Sequence, residues 1–237
     1  MSNELRIGIE IAFNISYLIV IWTLVILMVQ RFGSVADLNK PVARLLVWAF
    51  ALLALGDTGH VGFRVIAYAR GGLEANAGLI GVGALSTAIT VTVFYMILVF
   101  VWRLRFQKPL GWFGWMLLAA GIIRLGIMMF PQNQWEAIVP PYDWSLLRNF
   151  FLVVQGVGVM FLILRDSTRE GDDTFRLIGY MIALSYLFYA PVILWSAAVP
   201  LLGMLMIPKT CAYVAVAVIA YRAWWRKGKA PAQLGSV

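Results

Sequence analysis

Seven apolar runs, at about 7 to 30, 45 to 69, 78 to 102, 110 to 130, 145 to 164, 177 to 198 and 200 to 222, constrain this chain more than any other feature. Each is about 20 residues or longer, and at about 1.5 Å of rise per residue a helix of that length crosses roughly 30 Å of hydrocarbon. The sequence therefore predicts an all-α, polytopic membrane protein: a seven-transmembrane-helix bundle in one domain over residues 1–226, followed by a short polar tail at 227–237. The last two runs are separated only by the turn around Ala198 to Pro200, which predicts a tight hairpin. No internal repeat divides the chain into halves.

Composition agrees with that class. Hydrophobic residues make up 62% of the chain and charged residues 13%, against about a quarter charged in an average soluble domain. The net charge of +8 raises nucleic acid as a partner, but the nineteen Lys and Arg cluster at the ends of apolar runs instead of forming a basic stripe. Membrane lipids are the expected surroundings and nucleic acid is not an expected partner. The single cysteine, Cys211, excludes an intramolecular disulfide. The first run lacks the basic start and small-residue cleavage site of a signal peptide, so it is expected to be a retained helix.

Loop charges predict the orientation. Arg31, Lys40 and Arg44 flank the first connection, Arg103, Arg105 and Lys108 the third, and Arg165, Arg169 and Arg176 the fifth. Arg222, Arg226, Lys227 and Lys229 follow the last run, whereas the even connections hold only Arg70, with Glu74, Glu136 and Asp143. Lys and Arg near helix ends resist translocation, so the N-terminus is expected outside and the C-terminus inside. Trp112, Trp115, Trp135, Trp144, Trp224 and Trp225 lie near run ends, where interfacial anchors belong.

Ionisable residues inside the runs are the informative ones, because a charge at mid-bilayer costs about 2.5–3.5 kcal/mol even on the lenient insertion scale. Glu10, Asp57, Arg64, Arg124, Arg148 and Lys209 lie there, with the only histidine, His60. In the predicted orientation all fall at the midplane or in the outer half, while Leu18 to Val29, Leu45 to Leu55 and Ala212 to Ala220 leave the inner half almost purely apolar. A polar cavity open outward and sealed inward is expected.

Helical spacing groups these residues into stripes. Asp57, His60, Arg64 and Tyr68 share one face of the second helix, where Gly56 and Gly59 admit a close neighbour. Glu10, Asn14 and Tyr17 form a stripe on the first, Arg148 and Gln155 on the fifth, and Lys209 and Tyr213 on the seventh; the third offers Ser86, Thr87 and Thr90. Asp57 with Lys209 and Glu10 with Arg64 would make structural pairs. Four cations nevertheless face two carboxylates, and a bound carboxylate, phosphate or lipid head group would complete the set, with arginine supplying bidentate contacts. A neutral Lys209 is the competing solution. Pro191 and Pro208 are expected to bend their helices near the cavity.

Other chemistries fit less well. One histidine excludes bis-histidine haem within the chain, and no Cys or His spacing makes a zinc site; Glu10, Asp57 and His60 could in principle ligate a metal, but no metal site is expected. Asp57 beside His60 would serve as an acid and base pair for a membrane-embedded enzyme, with Ser86 or Thr90 as nucleophile. Gly78, Gly81 and Gly83 suit helix packing and not a phosphate loop, since no strand precedes them.

Two resemblances add expectations. Tyr189, Pro191 and Trp195 look like the aromatic and proline wall that flanks the polyene in microbial rhodopsins, which implies Lys209 as a Schiff-base residue. That likeness covers only the last two helices; the third carries no carboxylate where the family keeps its counterion and no arginine beside it, so Asp57 would have to substitute. The segments GDTGH with Arg64, FPQNQW, LLRNF and MIPKTCAYV resemble those of a group of uncharacterised bacterial seven-helix membrane proteins. This second likeness implies the bacterial cytoplasmic membrane and carries no function.

The resulting expectation is a protein that binds a small anionic solute or lipid head group in an outward-facing cavity, for transport or sensing. Its candidate ligand residues are Glu10, Asn14, Asp57, His60, Arg64, Arg124, Arg148, Gln155, Tyr189 and Lys209. The alternatives are the Asp57 and His60 enzyme, a structural subunit of a larger membrane assembly, and a retinal-binding photoreceptor; a homo-oligomer is compatible with each.

Overall fold

Apolar runs that close their own backbone hydrogen bonds become helices, and the computed structural model, which describes residues 3–196 and 198–226, contains seven of them. They are α1 (Asn3–Gln30), α2 (Lys40–Ala69), α3 (Ala77–Phe106), α4 (Gly111–Met128), α5 (Tyr142–Glu170), α6 (Asp173–Trp195) and α7 (Met206–Tyr221). Seven helical segments are long and apolar enough to cross a membrane, and no strand occurs among the described residues. The expected tail at 227–237 lies outside the described residues.

Most helices run a few residues beyond their apolar runs, and two boundaries shift furthest, by six residues, for local reasons. α5 continues past residue 164 to Glu170, because a helix ends at a cap and not where hydropathy falls; Gly171, at φ +68°, supplies the left-handed turn. Asp172 then accepts from the Phe175 amide at 3.0 Å and opens α6. The last run starts as a 3-10 turn, Pro200–Leu205, and becomes α-helical only at Met206. Pro208 consequently sits in the first turn of α7, where its missing N–H costs no intrahelical bond, whereas Pro191 does lie inside α6.

Sequential helices pack as neighbours, α7 returns to α1 to close the ring, and α3 also touches α5 across it. The α2–α3 seam is the most extensive. Glycines make it so: a Cβ on Gly83 would lie 3.0 Å from the Gly59 carbonyl oxygen and 3.1 Å from the His60 Cα, and one on Gly56 would collide with the Thr90 side chain. Phe50, Phe94, Tyr95, Leu98 and Ile182 fill the interior, while Ile19, Ile122 and Leu187 face outward as lipid-facing side chains do.

The end at which α1 begins is called the amino end here, and the opposite one the carboxyl end. The carboxyl end is tied shut. Arg105 pairs with Asp172 at 2.7 Å and lies over the Phe175 ring; buried Asp166 accepts from Trp102 Nε1 at 2.8 Å and from Arg165 at 2.7 Å. Trp225 Nε1 donates to the Met28 carbonyl at 2.7 Å, latching the end of α7 onto the end of α1.

At the amino end the α4–α5 connection folds back against α3. A Cβ on Gly81 would run into the Trp135 carbonyl group, whereas one on Gly78 would meet nothing. Gly81→Ala is therefore expected to destabilise the bundle by about 1–3 kcal/mol through overpacking against backbone, with Gly78→Ala near neutral. Thermal melts of the two variants in one detergent check this, and equal melting temperatures would place the connection elsewhere.

Candidate functional site

The polar residues of α1 and α2 meet near the amino end because both helices must turn those faces away from hydrocarbon. Arg64 Nη1 donates to Glu10 Oε1 at 2.7 Å, and the two side chains stay 34% and 40% exposed. Glu10, Ile11, Asn14, Val61, Arg64, Val65 and Tyr68 line a cleft of about 280 Å³, open solvent included. Most of that space is open solvent, and the enclosed part has room for about one water molecule, so the cleft is narrow as it stands. Arg124, Arg148 and Lys209 are not among its lining residues.

One turn deeper, His60 lies within electrostatic reach of Arg64, Asp57, Glu10 and Lys209. Its Nδ1, and Nε of Arg64, are buried without a hydrogen-bond partner among the described residues. Such orphans are uncommon and mark places where a fold leaves polar capacity unused. Asp57 is the opposite case. Tyr17 donates to its Oδ2 at 2.6 Å and Thr87 to its Oδ1 at 2.5 Å, so the carboxylate joins α1, α2 and α3 and neither oxygen is idle.

Lys209 does not form the expected pair with Asp57. Its half-buried ammonium sits 4.4 Å from the centroid of the Tyr189 ring and 5.4 Å from that of Tyr213, with no hydrogen bond or ion pair among the described residues. Ring faces replace part of the hydration that the ammonium loses. Tyr189 also donates through its hydroxyl to Asn149 Oδ1 at 3.2 Å.

Arg124 and Arg148 are held by neutral oxygens and belong to a different part of the bundle. Arg124, 2% exposed, donates through Nε to the Arg148 carbonyl and through Nη1 to the Ala88 carbonyl, both at 2.8 Å, and also to Thr92 Oγ1. It ties α3, α4 and α5 together. Arg148 donates to Asn133 Oδ1 at 3.0 Å and stacks over the Trp135 ring at 4.5 Å. Asn133 in turn donates to the carbonyls of Ile127 and Phe130, and Trp135 Nε1 to that of Met128, so the FPQNQW segment caps α4. Gln155, fully buried, has both amide atoms without a partner among the described residues and is kept in place beside Gly121 and Met96.

A cluster of hydroxyls escaped the reading of charges. Tyr95 and Tyr213 hydrogen-bond each other through their hydroxyls, and Tyr186 donates to the Leu152 carbonyl at 2.9 Å. Tyr186 lies three residues before Tyr189, and that helical spacing was the available signal. The Phe94 ring lies 5.3 Å from Tyr95 and 5.8 Å from Tyr213, and Tyr95 lies 5.8 Å from Tyr186, so aromatic side chains occupy the space next to Lys209. No group of three or more His, Cys, Asp or Glu side chains that would hold a metal occurs among the described residues.

No family model, curated protein or solved structure matches this chain. The likeness to uncharacterised seven-helix proteins thus adds no fold or role beyond the helices themselves. Its segments do have physical places here: GDTGH supplies Asp57 and His60, FPQNQW the α4 cap, and IPKTCAY both Lys209 and Tyr213.

Two outcomes are expected. Arg124→Gln withdraws donors from three buried oxygens and should lower stability by about 1–3 kcal/mol in a detergent melt; an unchanged melt would remove Arg124 as a tie between helices. Purified protein mixed with retinal should develop no visible band that borohydride abolishes, and such a band, lost in Lys209→Ala, would establish the photoreceptor reading instead.

Proposed function

We propose that the chain is a multi-pass protein of the bacterial cytoplasmic membrane that binds an anionic oxygen group, a carboxylate or a phosphate, in the α1–α2 cleft for transport or sensing. The observation that carries this reading is the state of Arg64. One arm is held by Glu10 and a third of the side chain stays open in the cleft, while beneath it Arg64 Nε and His60 Nδ1 are buried without a partner among the described residues. A guanidinium fixed by one carboxylate presents its remaining fork to a second anion.

The surrounding charge supports an anion as well. Glu10 offsets Arg64, and Asp57 lies within electrostatic reach of Lys209, but Arg124 and Arg148 have only neutral oxygens. In a low-dielectric bundle those two charges leave a positive field that draws anions inward. Asp57, with both oxygens occupied, is better suited to holding three helices than to acting as a general base. Loop charges support an outward-facing amino end.

Arg64→Lys keeps a charge for Glu10 and discards the fork, so it separates ligand binding from the structural pair. Titration with inorganic phosphate or succinate, against matched chloride, should raise the melting temperature of the native protein, by about 2.7 kcal/mol of stabilisation at a hundred times Kd. Arg64→Lys should melt at nearly the native temperature without ligand and respond little. Equal responses of the two proteins would rule out Arg64 as the anion's contact. For orientation, cysteines placed at Glu136 and Arg105, with Cys211 replaced, should react with an impermeant thiol reagent on intact cells at Glu136 only; the reverse labelling would invert the topology.

A further inference from the structure

We infer that the anion is the headgroup phosphate of a membrane phospholipid, which enters the cleft sideways from the leaflet at the amino end with an acyl chain along α1. This rests on the anion-site reading above and narrows it from two sources to one.

Depth is the first argument. α1 has 28 residues and α2 has 30, so at about 1.5 Å per residue each is roughly 42–45 Å long, the thickness of a bilayer including both headgroup regions. Glu10 lies seven residues from the start of α1 and Arg64 five from the end of α2, or about 10 Å and 8 Å below the amino end. Each headgroup region is about 5–8 Å thick, which places the Arg64 guanidinium at the boundary between phosphate and hydrocarbon. Tyr68, one turn nearer the end and on the cleft wall, stands where interfacial tyrosines stand.

Lining is the second. Glu10, Asn14, Arg64 and Tyr68 give the cleft a polar side, and Ile11, Val61 and Val65 an apolar one. A free phosphate or small dicarboxylate has no use for the apolar side, whereas a phospholipid has both characters at that depth. The apolar side continues away from the amino end: Ile15 and Ile19 follow Ile11 at four-residue spacing and are 44% and 63% exposed, giving a ridge against which a chain can lie. α1 has room to yield on this side, since its main helix neighbours are α2 and α7.

The test compares sources of the same chemistry. The native protein, Arg64→Lys and Val65→Trp, which fills the apolar side at a 40% exposed position, are placed in phosphatidylcholine nanodiscs with or without one fifth phosphatidylglycerol. Each is also melted in detergent with inorganic phosphate or glycerol phosphate. Phosphatidylglycerol should raise the native melting temperature by about 2–4 °C, the shift of roughly 1 kcal/mol for a chain of this size, and should do so in neither variant. The soluble phosphates should shift the native protein and Val65→Trp alike, and far less than the lipid does at equal phosphate.

Several results overturn the lipid. Soluble phosphates that match or exceed phosphatidylglycerol, with dependence on Arg64, leave the anion site standing and remove the lipid. A lipid effect shared by all three proteins is a property of the bilayer charge and removes it too. No response to lipid or soluble phosphate in any protein removes the anion site together with its occupant.

Discussion

Hydrocarbon offers a polar atom nothing to bond to, and that single fact orders this bundle. Glu10, Asp57, Arg64, Arg124, Arg148 and Lys209 all find their surroundings within the protein: a carboxylate, a pair of hydroxyls, backbone carbonyls or the faces of aromatic rings. Asp57 is the hub, because its two oxygens join three helices through Tyr17 and Thr87. The glycines of the α2–α3 seam allow the approach that makes the Thr87 bond short enough to form.

The two ends of the bundle spend their polar groups differently. At the carboxyl end each of the described carboxylates Asp37, Asp166, Glu170, Asp172 and Asp173 is paired with a cation, and indole N–H groups stitch Trp102 to Asp166 and Trp225 to Met28. Inside the helices toward the amino end, Arg64, Arg124, Arg148 and Lys209 face only Glu10 and Asp57, and two nitrogens on α2 lie idle. Paired carboxylates and stitched indoles resist opening, whereas buried polar atoms without a partner gain by accepting one. That contrast is the physical basis for locating recognition at one end only.

Most of the architecture was legible because length and hydropathy speak directly about helices that face lipid. The Glu10–Arg64 contact was legible too, since depth and opposite charge are enough to suggest it. The partners of Arg124 were not: backbone carbonyls of Ala88 and Arg148 carry no signature in side-chain identity, so a buried arginine reads as an unpaired charge. The role of FPQNQW was hidden for the same reason, because capping the carbonyls at the end of α4 is work done on backbone. Lys209 and Asp57 looked complementary by charge, yet Tyr17 and Thr87 reach the carboxylate first and two ring faces take the ammonium. Tyr95 and Tyr186 carry no charge to single them out, and a hydroxyl barely changes the hydropathy of a run.

The shortness of α4 has a consequence for the membrane around the protein. With 18 residues it spans about 27 Å, against about 42 Å for α1, and its far end is closed by a connection whose Asn133 is wholly buried. Exposed Trp112 and Trp115 pin its start at the opposite interface. Of α1 to α6 it is the helix with the least length to spare across roughly 30 Å of hydrocarbon, whereas α1 to α3 are long enough to reach into both headgroup regions. A thicker bilayer would have to thin along this flank, at a cost that a neighbour with an equally short flank would share.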